Sequence, residues 1–214
     1  MLVPIAHASQ LNYIVFDLET TGLDPACDGI TQLAAVRVRR GRILGEADVV
    51  AQLRRNPNAT VTDRSDYFCS LVQPIRPIPP ELERLTGITN EMVKNAPAEA
   101  DVIAAFLAFS DGGVLTAHNG LTFDVPFVRA ACGRCGLQAP SDTCLDTLRL
   151  CRRIDLACHD VKYDLGEVLR RHQIPMEPEF ALHNALTDAL FTARLLLKFL
   201  RILSERESDG IYIL

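Results

Sequence analysis

At 214 residues, 48% of them hydrophobic, the chain can bury one sizeable core and has the composition of a soluble globular protein of one domain. A formal net charge of −5 argues against the broad basic face of a typical nucleic-acid binder, although it leaves room for a local basic patch. No apolar run is long enough to cross a bilayer, and Met1 to Leu11 lacks the charged start and apolar middle of a secretory signal. The seven cysteines therefore read as reduced thiols of a cytoplasmic protein without a membrane partner.

Residues 1–10 read as a loose N-terminal arm. Leu11 to Leu18 has the apolar, partly β-branched content of a buried strand. Asp17 and Glu19 sit two residues apart at its end, so a strand sets both carboxylates on one face while Phe16 and Leu18 point into a core behind it. Thr20-Thr21-Gly22 closes the strand. Two negative charges fixed side by side call for a shared proton or a cation, and paired oxygen donors suit a hard divalent ion such as Mg2+ or Mn2+.

Ile30 to Val38 predicts a second strand, Gly41 a break, and Tyr67 to Val72 a third strand, which together open a β-meander. Residues 46–66 are polar, with no clear period, and are expected to form a long insertion loop. Its Arg54, Arg55 and Arg64 read either as a solvated charge cluster or as contacts to a phosphate backbone. Four prolines between Pro74 and Pro80 exclude a regular element there. A short helix from Pro80 to Arg84, a tight turn at Leu85-Thr86-Gly87-Ile88-Thr89-Asn90 and a helix from Ala98 to Phe109 follow.

Val114 to Ala117 predicts a strand running directly into His118-Asn119, and Phe123-Asp124 opens a helix with Pro126 in its first turn. A short strand lies within Ser141 to Asp146, and Leu148 to Ile154 and Tyr163 to His172 read as helices. Cys132-x-x-Cys135 has no second pair to complete a zinc pattern and reads as small buried residues. The last helix, about Asn184 to Leu203, carries an apolar stripe, a capping asparagine, His183 just before it and Asp188 near its start. Residues 206–214 form a C-terminal tail whose apolar end either docks on a partner or frays. The order of elements gives a mixed α/β class with helices packed on a largely mixed sheet.

Four acids and one histidine stand out: Asp17, Glu19, Asp124, His183 and Asp188. Such a set suits two-metal phosphoryl transfer. The motifs that carry them resemble the DEDDh 3′–5′ exonucleases of the DnaQ-like family. Phe16-Asp17-Leu18-Glu19-Thr20-Thr21-Gly22 matches the first motif, His118-Asn119 with Phe123-Asp124 the second, and His183-x-Ala185-x-x-Asp188 the third. Ile78-Pro-Pro-Glu-Leu and Leu85-Thr-Gly-Ile-Thr also look like the proofreading epsilon-type exonucleases of bacterial DNA polymerase III. Gly120-Leu121-Thr122 makes the second motif one residue longer than is usual, a form similar to the three-prime repair exonucleases. Gln32 stands where many relatives place a glutamate.

The resemblance implies a ribonuclease H-like fold, with a central mixed five-stranded sheet flanked by helices over residues 11–205. It implies that Asp17, Glu19, Asp124 and Asp188 hold two divalent cations, Mg2+ or Mn2+, and that His183 is the general base. Thr20, Leu85, Thr86 and Ile88 would meet the terminal nucleotide. Phe123 reads as a stacking platform or a core aromatic, and His118 and Asn119 as phosphate contacts or braces of their loop. The implied substrate is a single-stranded or frayed nucleic-acid 3′ end, DNA in preference to RNA, with a polymerase or repair protein as partner. An RNA-processing 3′–5′ exoribonuclease and a non-catalytic nucleic-acid-binding or polymerase-associated subunit are the alternatives.

Overall fold

The computed structural model describes residues 2–140, 143–155, 162–206 and 211–212. The elements are β1 (Leu2–Val3), α1 (Ile5–Ala8), β2 (Asn12–Thr20), β3 (Ile30–Arg39), β4 (Arg42–Ile43), α2 (Glu46–Arg55), β5 (Tyr67–Leu71), α3 (Pro80–Thr86), α4 (Asn90–Val93), α5 (Glu99–Ser110), β6 (Val114–Ala117), α6 (Asp124–Cys135), β7 (Cys144–Asp146), α7 (Thr147–Ile154), α8 (Leu165–Arg171), α9 (Ala185–Glu205) and β8 (Ile211–Tyr212). The mixed α/β class is the one expected, and the predicted strands and helices form with ends shifted by a residue or two. Ser141 and Asp142, the first residues of the stretch expected to hold a short strand, lie outside the described residues, as do 207–210, 213 and 214 of the tail.

Alternation along β2 organises the molecule. Tyr13 and Val15 face one side, where they pack with Val36, Leu186, Leu190 and Phe199. Ile14, Phe16 and Leu18 face the other, against Ile103, Phe106, Phe127 and Val128 of α5 and α6. Helix α9 thus covers one face of the sheet and α5 and α6 the other. Leu186, Leu190, Phe191, Leu195, Leu196 and Phe199 of α9 are fully buried. At roughly 1.5–3 kcal/mol for each large apolar side chain removed from water, that stripe fixes the helix that carries Asp188.

The sheet has the order β4-β3-β2-β6-β7, with β5 also pairing β3. Strands β2, β3 and β5 form the antiparallel meander, while β6 and β7 run parallel to β2 and to each other. It has six strands rather than five. The additional strand, β4, pairs Val38 with Ile43 and Arg39 with Arg42 after a turn in which Arg40 and Gly41 both have positive φ, of 51° and 70°.

Three further expectations are corrected. Residues 46–66 are not a loop throughout, since 46–55 form α2. Only Val49, Gln52 and Leu53 of that helix are buried, one of them polar, and its N-cap is Gly45 at φ 58°, so it shows neither an apolar stripe nor a capping side chain in the sequence. The arm is not loose: Ala8 is fully buried, and the Tyr13 hydroxyl donates to its carbonyl oxygen at 2.6 Å. The two ends of the chain pair with each other, Leu2 opposite Tyr212 and Val3 opposite Ile211. Among the described residues no helix is long and apolar enough to cross a membrane.

Candidate active site

Past Val15 the same face of β2 presents Asp17 and Glu19, just where α9 begins. Asp188, in the first turn of α9, meets them, and carboxylate oxygens of these three residues lie within 4.8 Å of one another. Asp124 opens α6 from the end of the β6 turn and lines the same cleft. The strand spacing and the helix start read from the sequence therefore converge on one point.

The electrostatics follow from burial and crowding. Desolvation, then Asp188, Asp124 and Glu19, hold the Asp17 carboxyl well above its usual range. Glu19 is pushed up to about 8 by burial and by the charges of Asp188 and Asp124. Asp124 rises to about 7, mainly through burial, and Asp188 likewise to about 7. Asp124 Oδ1 and Asp188 Oδ1 are buried with no hydrogen-bond partner. Buried polar oxygens are nearly always paired, and a hard divalent cation bonds such oxygens and offsets the mutual repulsion of the acids. On that test the donor set fits a divalent metal.

His183 is exposed at the rim of this cleft with φ 66°, and its backbone N–H donates to Asp188 Oδ2 at 3.1 Å. Asn184 caps α9, as expected from the sequence, by accepting from the Thr187 N–H at 3.3 Å.

The cleft has a volume of about 390 Å³ and brings together all five of these residues with Thr20, Leu85, Thr86, His118, Asn119 and Phe123. Ile88 is not among them. It is completely buried with Ile78 and Val93, in a small core beneath α3 and α4. Gly87, at φ 71°, reverses the chain between the two apolar residues of that turn, so Leu85 is left 50% exposed at the cleft and Ile88 is turned inward.

His118 uses both ring nitrogens within the protein, Nδ1 with Thr147 Oγ1 at 3.0 Å and Nε2 with the Tyr163 carbonyl oxygen at 2.8 Å. It braces the loop rather than offering a free nitrogen to phosphate. Phe123 lines the cleft and also packs on Phe127, with ring centroids 4.9 Å apart. Asn119 adopts φ 64°, and its N–H donates to Asp146 Oδ1 at 3.1 Å.

Asp146 was not singled out by sequence reasoning. It is buried at the end of β7 and also accepts from the N–H groups of Leu121 and Leu148. One carboxylate thus ties the turn of the second motif to the start of α7. Its position before a helix signals a cap; its link to the second motif needed the fold. Leu23, 84% exposed in the turn after the first motif, is another lining residue missed.

Cys151, Asp155 and His172 also bring ligand-type atoms together. There the Arg171 guanidinium lies 3.0 Å from the Asp155 carboxylate, so a cation already shares the cluster and the group joins α7 to α8 as an ion pair. Cys132 and Cys135 belong to no metal-ligating cluster among the described residues.

The RNase_T family model, an exonuclease family, matches residues 14–196. A Mycobacterium tuberculosis protein named for a bifunctional exonuclease/endonuclease activity is 36% identical over 194 residues, covering 87% of this chain and 26% of that protein. The PolC-type DNA polymerase III of Caldanaerobacter subterraneus is 34% identical over 194 residues, covering 90% of this chain and 12% of the polymerase. This chain therefore spans about a quarter or less of the length of these two relatives. Exonuclease X, solved in complex with 5′-overhanging duplex DNA, superposes with a TM-score of 0.64 at 25% identity, covering 91% of this chain and 93% of that one. Exonuclease I of E. coli, solved with a dT13 oligonucleotide, shares the fold at a TM-score of 0.69 and 18% identity, over 92% of this chain and 42% of its own.

Proposed function

The chain belongs to the exonuclease family whose model it matches, and we propose that it is a metal-dependent 3′–5′ exonuclease that releases nucleoside 5′-monophosphates from a DNA 3′ end. One observation carries the reading: four crowded carboxylates, two with buried unpaired oxygens, beside an exposed histidine in an open cleft. DNA is favoured because a polymerase III relative and a DNA-bound exonuclease are among the proteins this chain resembles.

Asp17, Glu19, Asp124 and Asp188 would hold two Mg2+ or Mn2+ ions, which when bound lower the pKa of the attacking water and neutralise charge on the phosphodiester. His183, exposed and beside the acids, accepts the proton of the attacking water and releases it to solvent. Thr20, Leu85 and Thr86 receive the terminal nucleotide, and Phe123 offers a ring on which a base stacks. His118 and Asn119 hold the second-motif turn, and with it Asp124, in register. An open cleft suits a single-stranded or frayed end, and a polymerase or repair protein is the partner that this activity would serve.

The test is degradation of matched 5′- and 3′-labelled single-stranded DNA and RNA with Mg2+, Mn2+ or a chelator, with Asp17→Ala and His183→Ala beside the parent. The expected result is shortening from the 3′ end that needs metal, is faster on DNA and is lost in both variants. Faster cleavage of RNA would make the chain an exoribonuclease. Cleavage of neither polymer by folded protein would leave a binding subunit.

A further inference from the structure

Gln32 lies on β3 opposite Glu19 and is fully buried. Its Oε1 accepts from the Ala185 N–H at 2.9 Å and from Asn184 Nδ2 at 3.2 Å. Its Nε2 donates to the Pro57 carbonyl oxygen at 3.1 Å and to Asn58 Oδ1 at 3.0 Å. Asn184 Nδ2 donates to the same Asn58 Oδ1 at 2.9 Å, which closes a triangle of three side-chain amides. Backbone groups fix every orientation in it. The Ala185 and Thr187 N–H groups only donate and the Pro57 oxygen only accepts, so Asn58 must turn its oxygen inward.

A second tie runs from the same segment. Arg54 Nε meets Glu179 Oε1 at 3.0 Å, and its guanidinium sits 6.0 Å from the Phe180 ring centroid. The C-terminal end of α2 and the turn after it therefore grip residues 179–185 at both ends. His183 lies between these grips in a left-handed conformation that a non-glycine residue adopts only when its surroundings impose it. A glutamate at 32 could still cap Ala185 but would set a carboxylate against the Pro57 and Asn58 oxygens. An amide both accepts and donates, so Gln32 is matched to residues 57 and 58.

We propose that Gln32, Asn58 and Arg54 are positioning residues for His183: they hold the backbone of residues 183–185 so that the imidazole meets the attacking water, without touching substrate or metal. The proposal rests on the reading of His183 as the general base. It gives the 46–66 segment a role in proton transfer.

The test uses Asn58→Ala, a half-buried turn position, with Arg54→Ala and Gln32→Glu beside it. Amide exchange at His183 and Ala185 should accelerate about tenfold or more in Asn58→Ala, while β2 and β3 amides keep their protection. In kinetics kcat should fall about ten- to a hundredfold, with KM and calorimetric Mn2+ affinity unchanged. Placed in a His183→Ala background, Asn58→Ala should cost nothing further, because the group it positions is gone. Unchanged exchange at His183 and Ala185 overturns the proposal, and so does an equal kinetic penalty in both backgrounds. A parent that degrades neither DNA nor RNA would instead refute the exonuclease reading, and the exchange measurement would still decide whether residues 57 and 58 hold His183.

Discussion

The main-chain N–H of His183 donates to Asp188 Oδ2 at 3.1 Å. The residue proposed as base and a residue proposed as cation ligand are therefore fastened by a bond that no side-chain change at 183 removes. The two substitutions should separate cleanly. His183→Ala should lower kcat by about 10²–10⁴-fold and leave Mn2+ affinity intact. Asp188→Ala should lose activity and metal affinity together, and it frees the His183 amide. Steady-state kinetics with calorimetric Mn2+ titration read both, and a His183→Ala protein with weakened metal binding would contradict the division.

The acid cluster predicts an unusual dependence of stability on pH. Glu19 is held up to about 8, Asp124 and Asp188 to about 7, and Asp17 well above its usual range. Unfolded, these groups titrate at about 4. Between about pH 4 and pH 8 the folded metal-free chain therefore binds protons that the unfolded chain has released, and stability falls as pH rises through that window. Divalent cation should reverse the trend, adding about 2.7 kcal/mol at a hundredfold excess over Kd and raising Tm far more at pH 8 than at pH 5. Scanning calorimetry at the two pH values, with Mn2+ or chelator, is the measurement. A metal-free Tm that rises steadily from pH 5 to pH 8 would contradict the clustering.

Asp146→Asn should act at a distance from the cleft. The carboxylate accepts from three backbone N–H groups, and an amide nitrogen in that place would face donors with a donor. The expected cost is about 1–3 kcal/mol in urea unfolding, with kcat reduced as the Asn119–Leu121 turn shifts under Asp124. An Asp146→Asn protein as stable and as active as the parent would remove Asp146 from the brace.

Leu85 and Ile88 should part company. Leu85→Ala, at a half-exposed rim position, should raise KM several-fold, near 1 kcal/mol of lost apolar contact, with little change in Tm. Ile88→Ala should cost about 2–5 kcal/mol of stability by opening a cavity beneath α3 and α4. Thermal melts and KM on one oligonucleotide would show a reversed pattern if Ile88 were the residue that meets the nucleotide.

The places where sequence and structure part share one cause. Period two on β2 was enough to set Asp17 and Glu19 on a common face, because neighbouring residues along a strand decide it. The helix over residues 46–55 gave no such signal, since its few buried positions include Gln52, which is buried for its hydrogen bonds to Arg55 and the Asn56 carbonyl oxygen. The pairing of the two chain ends was equally hidden, because nothing near Leu2 names a partner at Tyr212.

By itself the sequence determined the strands and helices that carry or flank Asp17, Glu19, Asp124, His183 and Asp188 and the mixed α/β class, because spacing, caps and breakers act over a few residues. Only the tertiary structure decided that Ile88 turns inward, that His118 spends both nitrogens on its own loop, that Asp146 anchors the second motif and that Gln32 meets Asn58 and Asn184. The last three depend on hydrogen bonds between segments tens of residues apart, and the first on the packing of Ile88 with Ile78 and Val93 around the Gly87 reversal. Such contacts form only when the fold brings their segments together, and they leave no periodic trace in the chain.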